Sequence, residues 1–340
     1  MDFEQIRDLL AGNKIIIFHD EISKPVQPDE IGIVETAAWL KEIMESFGAR
    51  VKSFSFLLDL AAMKTIIEKE KPLLVFNMVD SVAGKGRLAH LAPALFAALE
   101  IPYTGCNNNS IFMVSDKLLA KKIMRQNAIP TPDWTENGGD IGPGLYIVKS
   151  VYEHASIGLD DANVVGQRDV QEKIAERREK FGGEWFAEKY IDGREFSIPL
   201  LEISGKTEVL PLYEICYRDY PRDKRKIQDY ASKWDEDSFG YNASYREFFF
   251  PEKDFALLDK INSVAKKCQE VFELSGYARI DMRVTEDGIP MVIDINPNPS
   301  IEPSLGFFLS AARIDIDYRK VIGYMLLAAL RDKVKSYAAA

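Results

Sequence analysis

Two oxygen-bearing side chains, Asp294 and Asn296, stand two residues apart in VIDINPNPS, residues 292–300. Side chains at i and i+2 of a strand share a face, so the pair projects together while Val292, Ile293 and Ile295 supply the buried strand character. Two hard oxygen donors on one face suit a cation. Just upstream, YARIDMRVTEDGIPMVIDIN has the pattern of a hairpin closed at EDG, with Asp281 on one strand and Asp294 and Asn296 on its partner. Pairing through that turn would gather three oxygen ligands, whose hardness and low number suit Mg²⁺ with water or phosphate completing the shell. Arg279, two residues before Asp281, shares its face and is ready for the same charged group. A hairpin with a merely solvated polar face is the simpler alternative.

Other groups point the same way. Lys149 ends the apolar run LYIVK and is followed by SVYEHASIGL, a loop whose Ser156 and Gly158 could let backbone N–H groups cover phosphates. Lys117 follows Asp116 at a helix start. EKYIDGREFS carries Glu188 and Glu195, where a carboxylate can accept hydrogen bonds from ribose hydroxyls. The three histidines, His19, His90 and His154, are scattered and suit solvated or packing roles, and no nucleophile triad is apparent.

The elements that must position these groups follow from periodicity. KIIIFHD, VKSFSF and PLLVFNM read as strands, IVETAAWLKEIMESFGA and LAHLAPALFAALEI as helices between and after them, so residues 1–115 should form a parallel α/β unit. No GxGxxG turn follows the first strand, and AGKGR at 83–87 is a weak match, which argues against a dinucleotide fold. The helix DKLLAKKIMRQ runs from Ser115 to Asn127, and IPTPDW is an extended link into a smaller unit over 116–205 with strands LYIVKS and EWFAEKYI and the exposed helix QEKIAERREKF. SIPLLEI and EVLPLYEI look like a hairpin. A last unit, 206–340, holds the basic and aromatic stretch 217–250, the amphipathic helix FALLDKINSVAKKCQEVFEL, the acidic hairpin and a closing helix.

Composition sets the class. With 340 residues, 46% hydrophobic and 28% charged, the chain is an ordinary globular protein long enough for two or three domains. A net charge of −10 argues against a nonspecific grip on nucleic acid, which needs clustered Lys and Arg. Cys106, Cys216 and Cys268 make no CxxC pair and suit a reducing compartment; with no membrane-length apolar run and an acidic start, cytoplasm is expected.

In this order, the segments VFN, IPYTG, SDKLLAKK, IPTP, VKS with ASIGL, EKYIDGREFS, DYASKW, and ARID with IDINPNPS resemble the ATP-grasp superfamily, most closely the D-alanine–D-alanine ligase family. The likeness runs from about Lys14 to the final helix. It implies an ATP-grasp fold: an N-terminal parallel α/β domain, a small lid domain and a C-terminal α+β domain, with ATP between the last two. By matching position, Asp281, Asp294 and Asn296 would carry Mg²⁺, for which Mn²⁺ could substitute. Lys117, Lys149 and Lys233 would contact the phosphates, Glu188, Lys189 and Ile191 would frame adenine, and Glu195 the ribose. Glu30, in DEIG, would hold the first substrate's amino group, Ser156 would join the lid, Arg279 would stabilise the reacting oxygens, and Ser304 with Leu305 would meet the second amino acid's carboxylate. Family members are commonly dimers, so a homodimer is expected; LAPALFAALEI could serve that interface or simply pack on the first sheet.

The implied reaction is attack of a carboxylate on the γ-phosphoryl of ATP, then attack of an amine on the acyl phosphate, giving an amide, ADP and phosphate. Departures fall mostly on the first substrate's pocket. FHDEISKPVQPDE stands where the family has a GG-S-EH type start, MVDSVAGKG replaces a His-Gly dipeptide, Trp234 replaces the lid tyrosine, Asp294 a longer Glu, and Ser300 a glycine. The expectation is a carboxylate–amine ligase for an amino acid or amino-acid-like acid. A D-alanine–D-alanine ligase of cell-wall synthesis and a silent ATP-binding regulator stay open beside it.

Overall fold

A computed structural model describes residues 3–331 apart from 24, 25, 27, 140, 154, 155, 222 and 223. Near the N-terminus, β1 (Lys14–His19) lies between β2 (Arg50–Ser55) and β3 (Leu74–Met78), all parallel. The central strand is apolar from Ile15 to Phe18 because both its faces are covered there. Ile15 and Ile17 pack toward α1 (Phe3–Leu10) and α2 (Pro28–Ser46), whereas Ile16 and Phe18 face α3 (Leu60–Glu70) and α4 (Leu91–Ala98). Phe96 of α4 stacks on Phe18 at 5.6 Å, so packing on the sheet accounts for the apolar side of that helix.

Next come α5 (Asn108–Ser115) and α6 (Lys117–Gln126). The first of these was not expected from the sequence. Its N-cap is Asn107, whose side chain accepts from Ser110 N–H, and the chain bends at Asp116, whose carboxylate accepts from the N–H groups of Leu118 and Leu119 at 2.9 Å each. A small antiparallel sheet follows, in the order β4 (Trp134–Thr135), β7 (Trp185–Lys189), β5 (Leu145–Ser150), β6 (Val164–Gly166). The helix α7 (Val170–Phe181) covers one face through Val170 and Ile174 against Tyr146, Val148 and Trp185.

The largest sheet has the order β11 (Ser244–Glu247), β10 (Tyr213–Tyr217), β8 (Glu195–Ile203), β12 (Tyr277–Val284), β13 (Pro290–Asn296), with β9 (Lys206–Val209) also on β8. β8, expected within a middle unit ending at 205, is the centre of this sheet, so sheet membership changes between Lys189 and Glu195. Alternation in a strand does not say which sheet it joins. Its switch needs Gly193: a Cβ there would lie 1.8 Å from the Val284 carbonyl oxygen. EVLPLYEI is broken at Pro211 into β9 and β10, as a residue without N–H requires.

Before β11 come the short helices α8 (Tyr230–Trp234) and α9 (Phe239–Ala243). α10 (Phe255–Val271) packs Ile261, Ala265 and Cys268 on the sheet beside α5 and α6. After β13, α11 (Gly306–Ala312) and α12 (Tyr318–Ala329) return to the N-terminal sheet, where Val321, Ile322, Met325 and Leu326 share one core with Ile6, Leu10 and Leu40. The N- and C-terminal segments are thus packed together. Among the described residues, no helix is long and apolar enough to cross a membrane.

Candidate functional site

The acidic hairpin forms as its pattern implies. β12 and β13 pair with Asp281 opposite Asp294 and Arg279 opposite Asn296, through a turn in which Gly288 takes φ +76°. Directly opposed residues share a face, so the four polar side chains form one patch. Arg279 donates to Asp281 through Nε at 2.9 and 3.2 Å and Nη2 at 2.8 Å, and Ser197 Oγ donates to the same carboxylate at 2.7 Å. Asn296 Oδ1 accepts from the N–H of Asn298 at 2.9 Å. Among the described residues no three His, Cys, Asp or Glu cluster as a metal site; the set here is two carboxylates and an amide, all hard oxygen donors. Those donors fit Mg²⁺.

Three lysines approach from other elements. Lys117, at the start of α6, donates to the Glu153 carbonyl at 2.9 Å. Lys149, at the end of β5, lies 2.5 Å from Glu188 Oε1, and Lys121 from α6 lies 2.6 Å from the other oxygen. Burial pushes the Glu188 carboxyl up, but the two ammonium groups outweigh it and hold it below the usual carboxylate range. Burial depresses Lys117, and burial with the neighbouring Arg279 depresses Lys233 on α8. Ammonium groups destabilised in this way at a cleft wall fit an anionic ligand such as a polyphosphate.

Some expected residues are occupied by the protein itself. The carboxylate of Glu188 holds two lysines, so its first duty is to position Lys149. Glu195 accepts from Arg283 Nε at 2.9 Å and Nη2 at 2.6 Å, while Arg283 Nη1 reaches the Ile191 carbonyl at 2.9 Å. Arg283 and Lys121 had no role in the sequence reading. For Arg283 a signal existed, since it repeats the two-residue spacing from Arg279 and Asp281.

The loop that holds Ser156, expected in the lid, is joined to the segment leading into α8. Ser156, at φ +62°, donates through Oγ to the Gln228 carbonyl at 2.7 Å, and Tyr230 N–H donates to Leu159 at 3.2 Å. Lys224 and Asp161 add an ion pair at 2.6 Å. Gly158, at φ +69°, must lack a side chain, because a Cβ would lie 2.7 Å from the Trp185 ring. His154 lies outside the described residues.

At the N-terminal wall, Glu30 accepts from Ser23 N–H at 3.1 Å and Ser23 Oγ at 2.6 Å. Sequence reading missed the pair Asp20 and Asp80, which follow β1 and β3. Asp20 accepts from Asp80 N–H at 2.7 Å, Ser81 N–H at 3.1 Å and Ser81 Oγ at 2.6 Å. Burial, and then the charge of Asp20, pushes the Asp80 carboxyl well above the usual range. A folded pKa above the unfolded value means stability is lost as pH rises through the folded pKa. Asp80→Asn is therefore expected to raise the thermal midpoint at neutral pH, with the gain shrinking on acidification; a lower midpoint at neutral pH would contradict it.

The site residues expected from the sequence meet in one cavity of about 1050 Å³. It is lined by Arg279, Ser156 and Glu30, by Lys117, Lys149, Glu188, Lys189, Ile191, Glu195 and Lys233, by Asp281, Asp294 and Asn296, and by Ser304 and Leu305. The last two immediately precede α11, whose Gly306 admits the Tyr213 ring at a distance no Cβ would allow.

Similarity to known proteins points to one family. The chain is 26% identical over 252 residues to D-alanine–D-alanine ligase B of Clostridium perfringens, covering 71% of this chain and 76% of that one. It is 29% identical over 243 residues to a D-alanine–D-alanine ligase of Bacillus anthracis, covering 69% and 73%. In structure it is similar to a D-alanine–D-alanine ligase from Bacillus anthracis complexed with ATP, with a TM-score of 0.70 and 22% identity, covering 96% of this chain and all of that one; that likeness shows the fold. A family model described as D-ala D-ala ligase C-terminus matches residues 145–327. With more than half of its length matched by that model, the chain belongs to the D-alanine–D-alanine ligase family and is an ATP-dependent ligase of the carbon–nitrogen bond-forming kind, built on the ATP-grasp fold.

Proposed function

We propose that the protein joins an amino acid or amino-acid-like acid to an amine through an acyl phosphate, with ADP and phosphate as products. The observation that carries this reading is the meeting of Lys117, Lys149 and Lys233 with the Arg279, Asp281, Asp294 and Asn296 patch in one cavity. A carboxylate oxygen attacks the γ-phosphoryl of ATP and the bond to the β-phosphate oxygen breaks, releasing ADP. The lysines spread the charge that develops on the phosphoryl oxygens. An amine then attacks the acyl carbon, Arg279 steadies the tetrahedral oxyanion, phosphate leaves, and the amine loses a proton. Asp281, Asp294 and Asn296 would hold Mg²⁺, which neutralises phosphate charge when bound. The joined segments around Ser156 and Gln228 support a cover that keeps water from the acyl phosphate.

The activity of the relatives favours a second reading, a D-alanine–D-alanine ligase with the same amino acid in both substrate positions. A silent ATP-binding regulator has less support, since the lysines and the oxygen donors line the cleft together. ADP release with Mg²⁺ and ATP, read with product mass over single and paired D- and L-amino acids, separates the three. The expected result is an amide from a pair other than D-alanine with itself. Robust turnover of D-alanine alone would favour the second reading, and ATP binding without product from any pair would favour the third.

A further inference from the structure

The N-terminal end of the cleft gathers carboxylates. Among the described residues before Lys117, the titratable groups lining it are Asp20, Glu21, Glu30, Glu35 and Asp80, with no Lys, Arg or His. Glu302 reaches the same place from the other side, for a Cβ on Gly32 would lie 2.8 Å from its Oε1. Asp20 is satisfied by three donors and fixes the 79–81 turn, leaving Asp80 as the carboxylate presented beside it. Asn298 Oδ1 accepts from Tyr277 Oη at 2.5 Å, and its Nδ2 donates to the Val79 carbonyl at 3.4 Å, beside Asp80. Among the described residues, the cations acting on the pair are His19 at Asp20 and Arg279 at Asp80, and Arg279 is already bound by Asp281.

A second, independent feature lies at this end. Thr36 on α2 lines the cleft with 5% of the residue exposed, and its buried hydroxyl has no hydrogen-bond partner among the described residues. A buried hydroxyl without a partner is costly, and a ligand that bonds to it removes that cost.

We propose that the acid activated here carries a second cationic group, as a diamino acid does, and that Asp80 and Thr36 receive that group. This rests on the ligase reading. An ammonium placed at the wall offsets the repulsion between neighbouring carboxylates, whereas an apolar side chain leaves it standing, so the wall selects by charge. The raised pKa of Asp80 agrees, since after burial its cause is the charge of Asp20, which a cationic ligand offsets.

The assay is kcat/KM for ADP release with alanine as the acceptor, for 2,3-diaminopropionate against 2-aminobutyrate and for ornithine against norleucine, in D and L forms. In each pair a methyl replaces the ammonium. The diamino member of at least one pair is expected to be preferred by roughly 30-fold, and Asp80→Asn to remove most of that preference, as loss of one member of a buried charge pair does. Thr36→Val, nearly isosteric, should move the ratio the same way. Preference for the neutral member in both pairs, or a ratio that Asp80→Asn leaves unchanged, would overturn the proposal. Titration calorimetry of the same acids with AMP-PNP and Mg²⁺ separates it from the reading beneath it. Ornithine or diaminopropionate binding that Asp80→Asn weakens, with no ADP from any acid, keeps the wall and retires the ligase. Turnover of alanine without binding of either diamino acid does the reverse, and no binding and no turnover overturns both.

Discussion

Lys149→Ala is expected to lower ATP-dependent product formation by at least about 100-fold, the scale on which a preorganised charge at a reacting group acts. Its neighbour supplies the contrast. Lys149 and Lys121 bind the two oxygens of one carboxylate, Glu188, at 2.5 and 2.6 Å. Lys149 lines the cleft, whereas Lys121 has 3% of its side chain exposed and spends its other bonds on Thr131 Oγ1 at 2.8 Å and the Pro132 carbonyl at 3.2 Å. Lys121 is therefore part of the support and Lys149 of the working surface. Removing Lys121 leaves Glu188 buried with half its compensation, and breaking such a pair costs about 3–5 kcal/mol. Denaturant unfolding and ADP release on both variants read the two effects. Near-normal turnover in Lys149→Ala, or an unchanged midpoint in Lys121→Ala, would defeat the division of labour.

The hairpin from Tyr277 to Asn296 was legible because its information is local: two-residue spacing sets the face and EDG sets the turn. The N-terminal parallel unit was legible for a similar reason, since short apolar strands alternated with helical spacing. What local pattern does not carry is partnership at long range. Asp20 and Asp80 are 60 residues apart and meet because β1 and β3 are adjacent parallel strands ending at the same edge. Reading the residues just after each strand end as one group would have found them, since open α/β sheets gather their polar sites there. The Arg283 bonds to Glu195 and Ile191 depend likewise on β8 lying beside β12. The expected middle unit, which ended at 205, hid that adjacency.

Arg279→Ala is the variant in which chemistry and stability should part most widely. The guanidinium makes three bonds to Asp281, and Asp281 stands directly across from Asp294. Without it, turnover should fall by about 10²–10³-fold, as when one oxyanion donor is lost. The same change leaves two carboxylates opposed on neighbouring strands, where like charges repel. A divalent cation relieves that repulsion, so Mg²⁺ should raise the melting temperature of Arg279→Ala by more than it raises that of the unaltered protein. Arg279→Lys keeps a charge but not the two-pronged grip on Asp281, and should recover more of the stability than of the turnover. Thermal unfolding with and without Mg²⁺, beside ADP release, checks both halves. Equal Mg²⁺ responses in Arg279→Ala and the unaltered protein would mean that Asp281 and Asp294 do not share a cation, and full turnover would mean that the guanidinium serves only to hold Asp281 in place.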